Sequence, residues 1–224
     1  MQRISGILIL LTASLHAQNV QPRPYVRASG DATISVRPDQ AKLTASVVTS
    51  GNTAQEAADK NATIMTNVIA QLRTVVGNSP DVIKSTGYSV YPVTRTVNGT
   101  TQVTSYTAQN TVEVTLANIL LASRVIDTAV AAGATNIGSL VFGLADPNPP
   151  RVEALKKAAQ LAKTKAEAIA SALGMRLGNI TVLEESGGIG IRSFAVGAAS
   201  LAATPVQPGL VDVSATVTLQ ADIL

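Results

Sequence analysis

Between Tyr106 and Leu116 the residues Tyr106, Ala108, Val112, Val114 and Leu116 alternate with Thr107, Gln109, Thr111, Glu113 and Thr115. This two-residue period predicts a strand with one buried face and one wet or paired face. Asn110 falls in the inward set, either as a satisfied core amide or as a ligand. The same period predicts strands over Tyr25–Val36, Ala41–Thr49 and Leu210–Ile223. Arg37-Pro38-Asp39-Gln40 reads as a turn that would join the first two as a hairpin. Asn98-Gly99 separates Val82–Val97 from Thr100–Leu116. Both residues accept positive φ, so a type I′ hairpin is expected there, with an edge or bulge near Tyr91-Pro92.

Elsewhere the period lengthens to that of a helix. Thr53-Ala54-Gln55-Glu56 has capping-box spacing and precedes an apolar stripe of Ala57, Ile64, Val68, Leu72 and Val75 that closes at Gly77. Asn118 can cap a second helix over Ile119–Ala132, followed by a strand over Asn136–Leu144. A third, long helix occupies most of Pro149–Gly178, with Asn148 as its cap and Gly174 in the left-handed position after it. Val152, Leu155, Ala159, Ala162, Ala166, Ile169 and Leu173 form its expected buried stripe. The alanines in the middle would let the helix axis come close to whatever it covers.

From Ala41 to Ala145 the order is β-α-β-β-α-β. The fold class is therefore α+β: an antiparallel sheet with helices on one face, ferredoxin-like. Residues 41–145 form that part, while 25–40 and 146–224 supply strands and the long helix of a second part. A strand over Asn179–Glu185 precedes Ser186–Gly209, a Gly-, Ala-, Ser- and Pro-rich connection without periodicity. Its apolar residues Ile189, Ile191, Phe194, Val196 and Leu201 either form a mobile tip or pack on a neighbouring subunit.

Residues 1–17 carry Arg3, an apolar run and a terminal Ala17, which reads as a secretory signal cleaved before Gln18. The mature protein, 18–224, is expected in the periplasm or otherwise outside the cytoplasm. The chain holds no cysteine, and its one histidine, His16, lies in the signal. A mature chain without imidazole or thiol excludes Ser-His-Asp and Cys-His nucleophile systems, His or Cys zinc sites and thiol redox cycling. No cofactor, metal or catalytic residue is expected. A formal net charge of +3 does not argue for nucleic acid.

The remaining chemistry is sparse. Lys156, Lys157 and Lys163 on the long helix form either a solvated face or a surface for an anionic envelope polymer or lipid headgroup; Lys165 falls on a different side. Asp31, Asp39, Asp81, Asp127, Asp146, Glu184 and Glu185 are the carboxylates from which a glycan hydrolase would have to draw a pair. Most sit at turns or caps. Met65 and Met175 are the oxidisable sulfurs of the mature chain, too few for direct scavenging.

Several short motifs together resemble one family. They are Pro38-Asp39 with Ala41, Asp81-Val82-Ile83 with Tyr88 and Tyr91-Pro92, Tyr106-Thr107-Ala108-Gln109-Asn110, Ile126-Asp127 with Ala132-Gly133-Ala134, and Phe142 with Asp146. To these the long helix adds Glu153-Ala154-Leu155, Ala158, Ala162, Lys165-Ala166-Glu167 and Leu173-Gly174. The combination resembles the SIMPL-domain family of bacterial envelope proteins over nearly all of the mature chain, Ser186–Gly209 excepted. The resemblance implies a periplasmic or outer-membrane-associated protein of the immunogenic or oxidative-stress-defence type, and a homo-oligomer, since some members form large rings. It carries over no catalytic residue. A non-enzymatic, oligomeric envelope protein is thus the leading expectation, with the anionic-polymer binder and the carboxylate hydrolase as alternatives.

Overall fold

The computed structural model describes residues 23–77, 82–192, 195–196 and 208–224, with 186–192 and 195–196 described by backbone path and pairing. The expected signal segment lies outside the described residues. In chain order the elements are β1 Tyr25–Val36, β2 Gln40–Gly51, α1 Ala54–Val76, β3 Ile83–Val97 and β4 Thr100–Leu116. A 3₁₀ turn, Ile119–Leu121, leads into α2 Ala122–Ala131, and β5 Asn136–Gly143, α3 Asn148–Ala172, β6 Leu177–Arg192, β7 Ala195–Val196 and β8 Val211–Ile223 complete the series.

Two antiparallel sheets result, one ordered β3-β4-β2-β5-β7 and the other β1-β8-β6. The class is α+β, and the order β3-β4-β2-β5 is the ferredoxin-like arrangement of the β-α-β-β-α-β series. The helix starts follow from local chemistry. Thr53 Oγ1 accepts from Glu56 N at 3.1 Å, and Glu56 Oε2 accepts from Asn52 N at 2.8 Å. Asn118 Oδ1 accepts from Leu120 N at 3.1 Å. Asn98 and Gly99 have φ of 50° and 76°, as a type I′ turn requires.

The larger core lies between α1, α2 and one face of the five-stranded sheet. Leu43 and Val47 of β2, Val112 and Val114 of β4, and Phe142 of β5 meet Met65, Val68 and Leu72 of α1 and Val125 of α2. Burying each such side chain contributes about 1.5–3 kcal/mol.

In the second layer α3 covers β1 and β8. Its buried residues are Ala154, Ala158, Ala162, Ala166 and Ala170, each four positions from the last. This corrects the expected stripe: Ala162 and Ala166 are buried and Leu155 half-buried, but Ile169 is 45% and Leu173 68% exposed, and Val152 is exposed too. The sheet makes the selection. Ala28, Ala215 and Ala221 line the facing strands, and a Cβ on Gly30 would strike the Ala158 carbonyl oxygen and the Ala162 nitrogen. Only an alanine ridge can approach so closely; a Leu or Ile ridge would hold the helix off. The cap also differs, since Asn148 is the first helical residue and its N–H is taken by Asp146 Oδ1 at 2.9 Å. Gly174, at φ 73°, ends the helix as expected.

Two further expectations are corrected. β1 and β2 do not form a hairpin: β1 pairs with β8 from Tyr25↔Asp222 to Val36↔Val211, while β2 lies between β4 and β5. The connecting Pro38 is buried, so the chain there is packed as a crossing between sheets. Nor is Ser186–Gly209 wholly structureless. β6 continues along β8 to Arg192↔Asp212, and Ala195 and Val196 then pair with Val141 and Leu140. These partners are distant in sequence and supply an order that local composition does not encode.

Candidate functional site

Among the described residues the carboxylates do not gather around a cleft. Asp31 Oδ1 accepts from the Thr216 hydroxyl at 2.8 Å, and Asp39 Oδ1 from Ala145 N at 2.7 Å. Asp146 Oδ1 accepts from Asn148 N at 2.9 Å, while Glu184 and Glu185 pair with Arg27 at 3.5 Å and Arg151 at 2.8 Å. Asp127 is exposed on α2, and Asp81 lies outside the described residues. A groove of about 500 Å³ between β1 and α3 is lined by Ala32, Thr33, Lys157, Gln160, Leu161 and Thr164. A second concavity, between α1 and α2, is lined by Asn67, Gln71, Thr128, Ala131 and Ala132. Neither holds a carboxylate.

The lysines of α3 are spread by the helix geometry. Lys157 pairs with Glu153 at 3.2 Å and Lys163 with Glu167 at 3.7 Å, both at i,i+4 spacing. Lys156 is exposed, with no ion-pair partner among the described residues. Lys165, on another side, donates to Ser29 O at 2.7 Å and so covers part of the outer edge of β1.

Exposed apolar side chains lie on α3, at Val152, Leu161, Ile169 and Leu173, and on two strand surfaces. β4 pairs with β2 only as far as Tyr106↔Gly51 but with β3 as far as Thr100↔Val97. The first six residues of β4, with their β3 partners, therefore project as a two-stranded arm about 20 Å long. Val93, Val97 and Val103 are exposed on the arm, and Tyr88 and Tyr91 at its base. On β6, Ile180, Val182 and Leu183 are exposed, Leu183 at 62%. Sequence reading missed both surfaces; for the arm, a strand pair longer than its neighbouring strand was the available signal. Of the proposed oligomer-loop residues, Ile189, Ile191 and Val196 fall on described backbone in β6 and β7. Phe194 and Leu201 lie outside the described residues.

Asn61 was also missed, although it continues the buried spacing of Ala57, Met65 and Leu72 on α1. Fully buried, it donates from Nδ2 to Val47 O at 2.8 Å and to Ala108 O at 3.1 Å. One side chain of α1 thereby ties together β2 and β4. Its Oδ1 and the Oδ1 of Asn110 are buried with no hydrogen-bond partner among the described residues. Asn110 lies on the inward face as expected, with this oxygen unpaired among the described residues.

Fold and surface together define a two-sheet α+β protein, built on a ferredoxin-like unit, whose described concavities hold no converging reactive groups. The chain belongs to the SIMPL family, described as a protein of unknown function (DUF541), which it matches over residues 26–221. It is 28% identical over 170 residues to the uncharacterized protein YggE of Edwardsiella ictaluri, covering 76% of this chain and 71% of that one. It is also 27% identical over 166 residues to the 26 kDa periplasmic immunogenic proteins of Brucella melitensis and Brucella abortus. Those matches cover 71% of this chain and 66% of each Brucella protein. Among the described residues no helix is long and apolar enough to cross a membrane.

Proposed function

We propose that the mature protein is an exported, non-enzymatic envelope protein that works as a homo-oligomer, in envelope or oxidative-stress defence. The observation that carries this reading is the set of apolar side chains exposed along the β3–β4 arm and on β6. Export is supported by the signal-like residues 1–17 and by the periplasmic naming of the Brucella relatives.

The mode of contact follows from the sheet edges. β3 carries Pro92, which offers no N–H, and register shifts at Ser85/Gly87 and Val93/Thr94. β7 is two residues long, β6 has three register shifts, and Lys165 occupies Ser29 O on β1. Edges interrupted in these ways resist strand addition. Copies would therefore meet through side-chain faces.

Sedimentation of the mature protein over a hundredfold concentration range tests the reading, with N-terminal sequencing expected to begin at or near Gln18. A chain that stays monomeric throughout would overturn it. The alternative, an anionic polymer held by Lys156, Lys157 and Lys163, has less support because two of the three already face glutamates. Salt-sensitive retention on an anionic matrix would favour it.

A further inference from the structure

Asn110 belongs to the Tyr106–Asn110 motif, and neither the fold nor the surface chemistry accounts for it so far. It stands directly across from Val47 on β2 and from Tyr88 on β3. Asn61 reaches down from α1 to the carbonyl of that same Val47 and to that of Ala108, two positions from Asn110 on the same strand face. The two amides thus lie on one face of one strand pair, beneath one helix. Each presents a buried oxygen that accepts nothing from the described residues.

A buried carbonyl-type oxygen without a donor is costly, and two of them on one face of one strand pair, beneath one helix, call for a ligand. The complement of two neighbouring acceptors is a small species with at least two hydrogens to donate. A cation would meet only neutral amide oxygens there, with the hydrophobic core of Val47, Val112 and Met65 around it, and would not recover its hydration. A neutral donor loses far less. We infer that Asn61 Oδ1 and Asn110 Oδ1 together bind one buried water molecule, which joins α1 to β4 as the Asn61 amide joins α1 to both strands.

This assigns the motif asparagine a positioning role: through the water it fixes the placement of α1 on the sheet. Apolar packing alone restrains sliding of a helix weakly, whereas a satisfied polar pair admits one placement. Asn61→Leu or Asn110→Leu would fill space but abolish that restriction.

A crystal structure of the mature protein, at a resolution that orders solvent, is expected to show one water within hydrogen-bonding distance of both Oδ1 atoms. A direct bond from the Asn110 amide to Asn61 Oδ1, a Tyr88 hydroxyl donated to Asn110, or separate partners for the two oxygens would each overturn the assignment. In solution, Asn61→Ser, Asn110→Ser and the double variant should lower the urea midpoint non-additively, the double losing less than the sum of the singles. Additive losses would overturn a shared ligand. Replacing sodium chloride by ammonium chloride at equal ionic strength should leave the wild-type midpoint unchanged; a rise confined to the protein with both asparagines would identify ammonium, not water, as the occupant.

Discussion

Asp39 and Ala145 are joined by a 2.7 Å hydrogen bond from the Ala145 backbone N–H to Asp39 Oδ1, and the Asp39 N–H returns to Gly143 O at 3.2 Å. Asp39 lies where the chain leaves the three-stranded sheet for the five-stranded one, and Ala145 where it goes back. One aspartate therefore ties two crossings between sheets. Asp39→Ala is expected to lower stability by about 0.5–1.5 kcal/mol, the net worth of one hydrogen bond. Asp39→Asn keeps an acceptor oxygen and should lose less. Urea unfolding of the two variants checks the order.

Gly30 is where α3 comes closest to its sheet. Because a Cβ there meets the backbone of Ala158 and Ala162, Gly30→Ala should cost about 1–3 kcal/mol through overpacking. Gly87 on β3 has nothing within 4 Å of an added Cβ. Gly87→Ala should stay within about 0.5 kcal/mol of wild type, and equal losses at the two positions would contradict the close approach.

The faces of α3 make a third prediction. Ile169 is half exposed, so Ile169→Ala should cost under about 1 kcal/mol, whereas Leu43→Ala, which empties a fully buried site, should cost about 2–5 kcal/mol. Lys156→Ala should fall within about 0.5 kcal/mol. Thermal midpoints in that order would uphold the alanine ridge as the buried face.

The start of α1 responds to acid. Glu56 is held below its ordinary 4.5, first by the hydrogen bond from Lys60 and then by that from the Asn52 N–H. A carboxyl depressed in the folded state stabilises above its unfolded pKa and loses that contribution as pH falls through the folded value. Glu56→Gln should therefore remove a small part of the acid-induced loss of stability that begins as pH drops past about 4.5. Thr53→Ala, which removes the cap itself, should cost about 0.5–2 kcal/mol at every pH. Stability measured from pH 7 to pH 3 separates the two effects.

Local chemistry settled much of this molecule from the sequence: the capped start of α1, the Asn98-Gly99 turn, the alternation along β4 and β8, and hence the β-α-β-β-α-β order. Each depends on residues within a few positions of one another, where backbone preference and periodicity decide the outcome. The tertiary structure decided what depends on distant partners. It placed β1 on β8 and not on β2, and it drew the chain beyond Glu185 into strands along β8 and β5. On α3 the sequence contains two stripes, and hydrophobicity favours the one with Leu155, Ile169 and Leu173. Gly30 and the alanines of the facing sheet reverse that preference, because close backbone approach admits only small side chains. The meeting of Asn61 with the strand of Asn110 is of the same kind: each reads alone as a polar residue on an apolar face, and only the packing of α1 across β2 and β4 makes them neighbours.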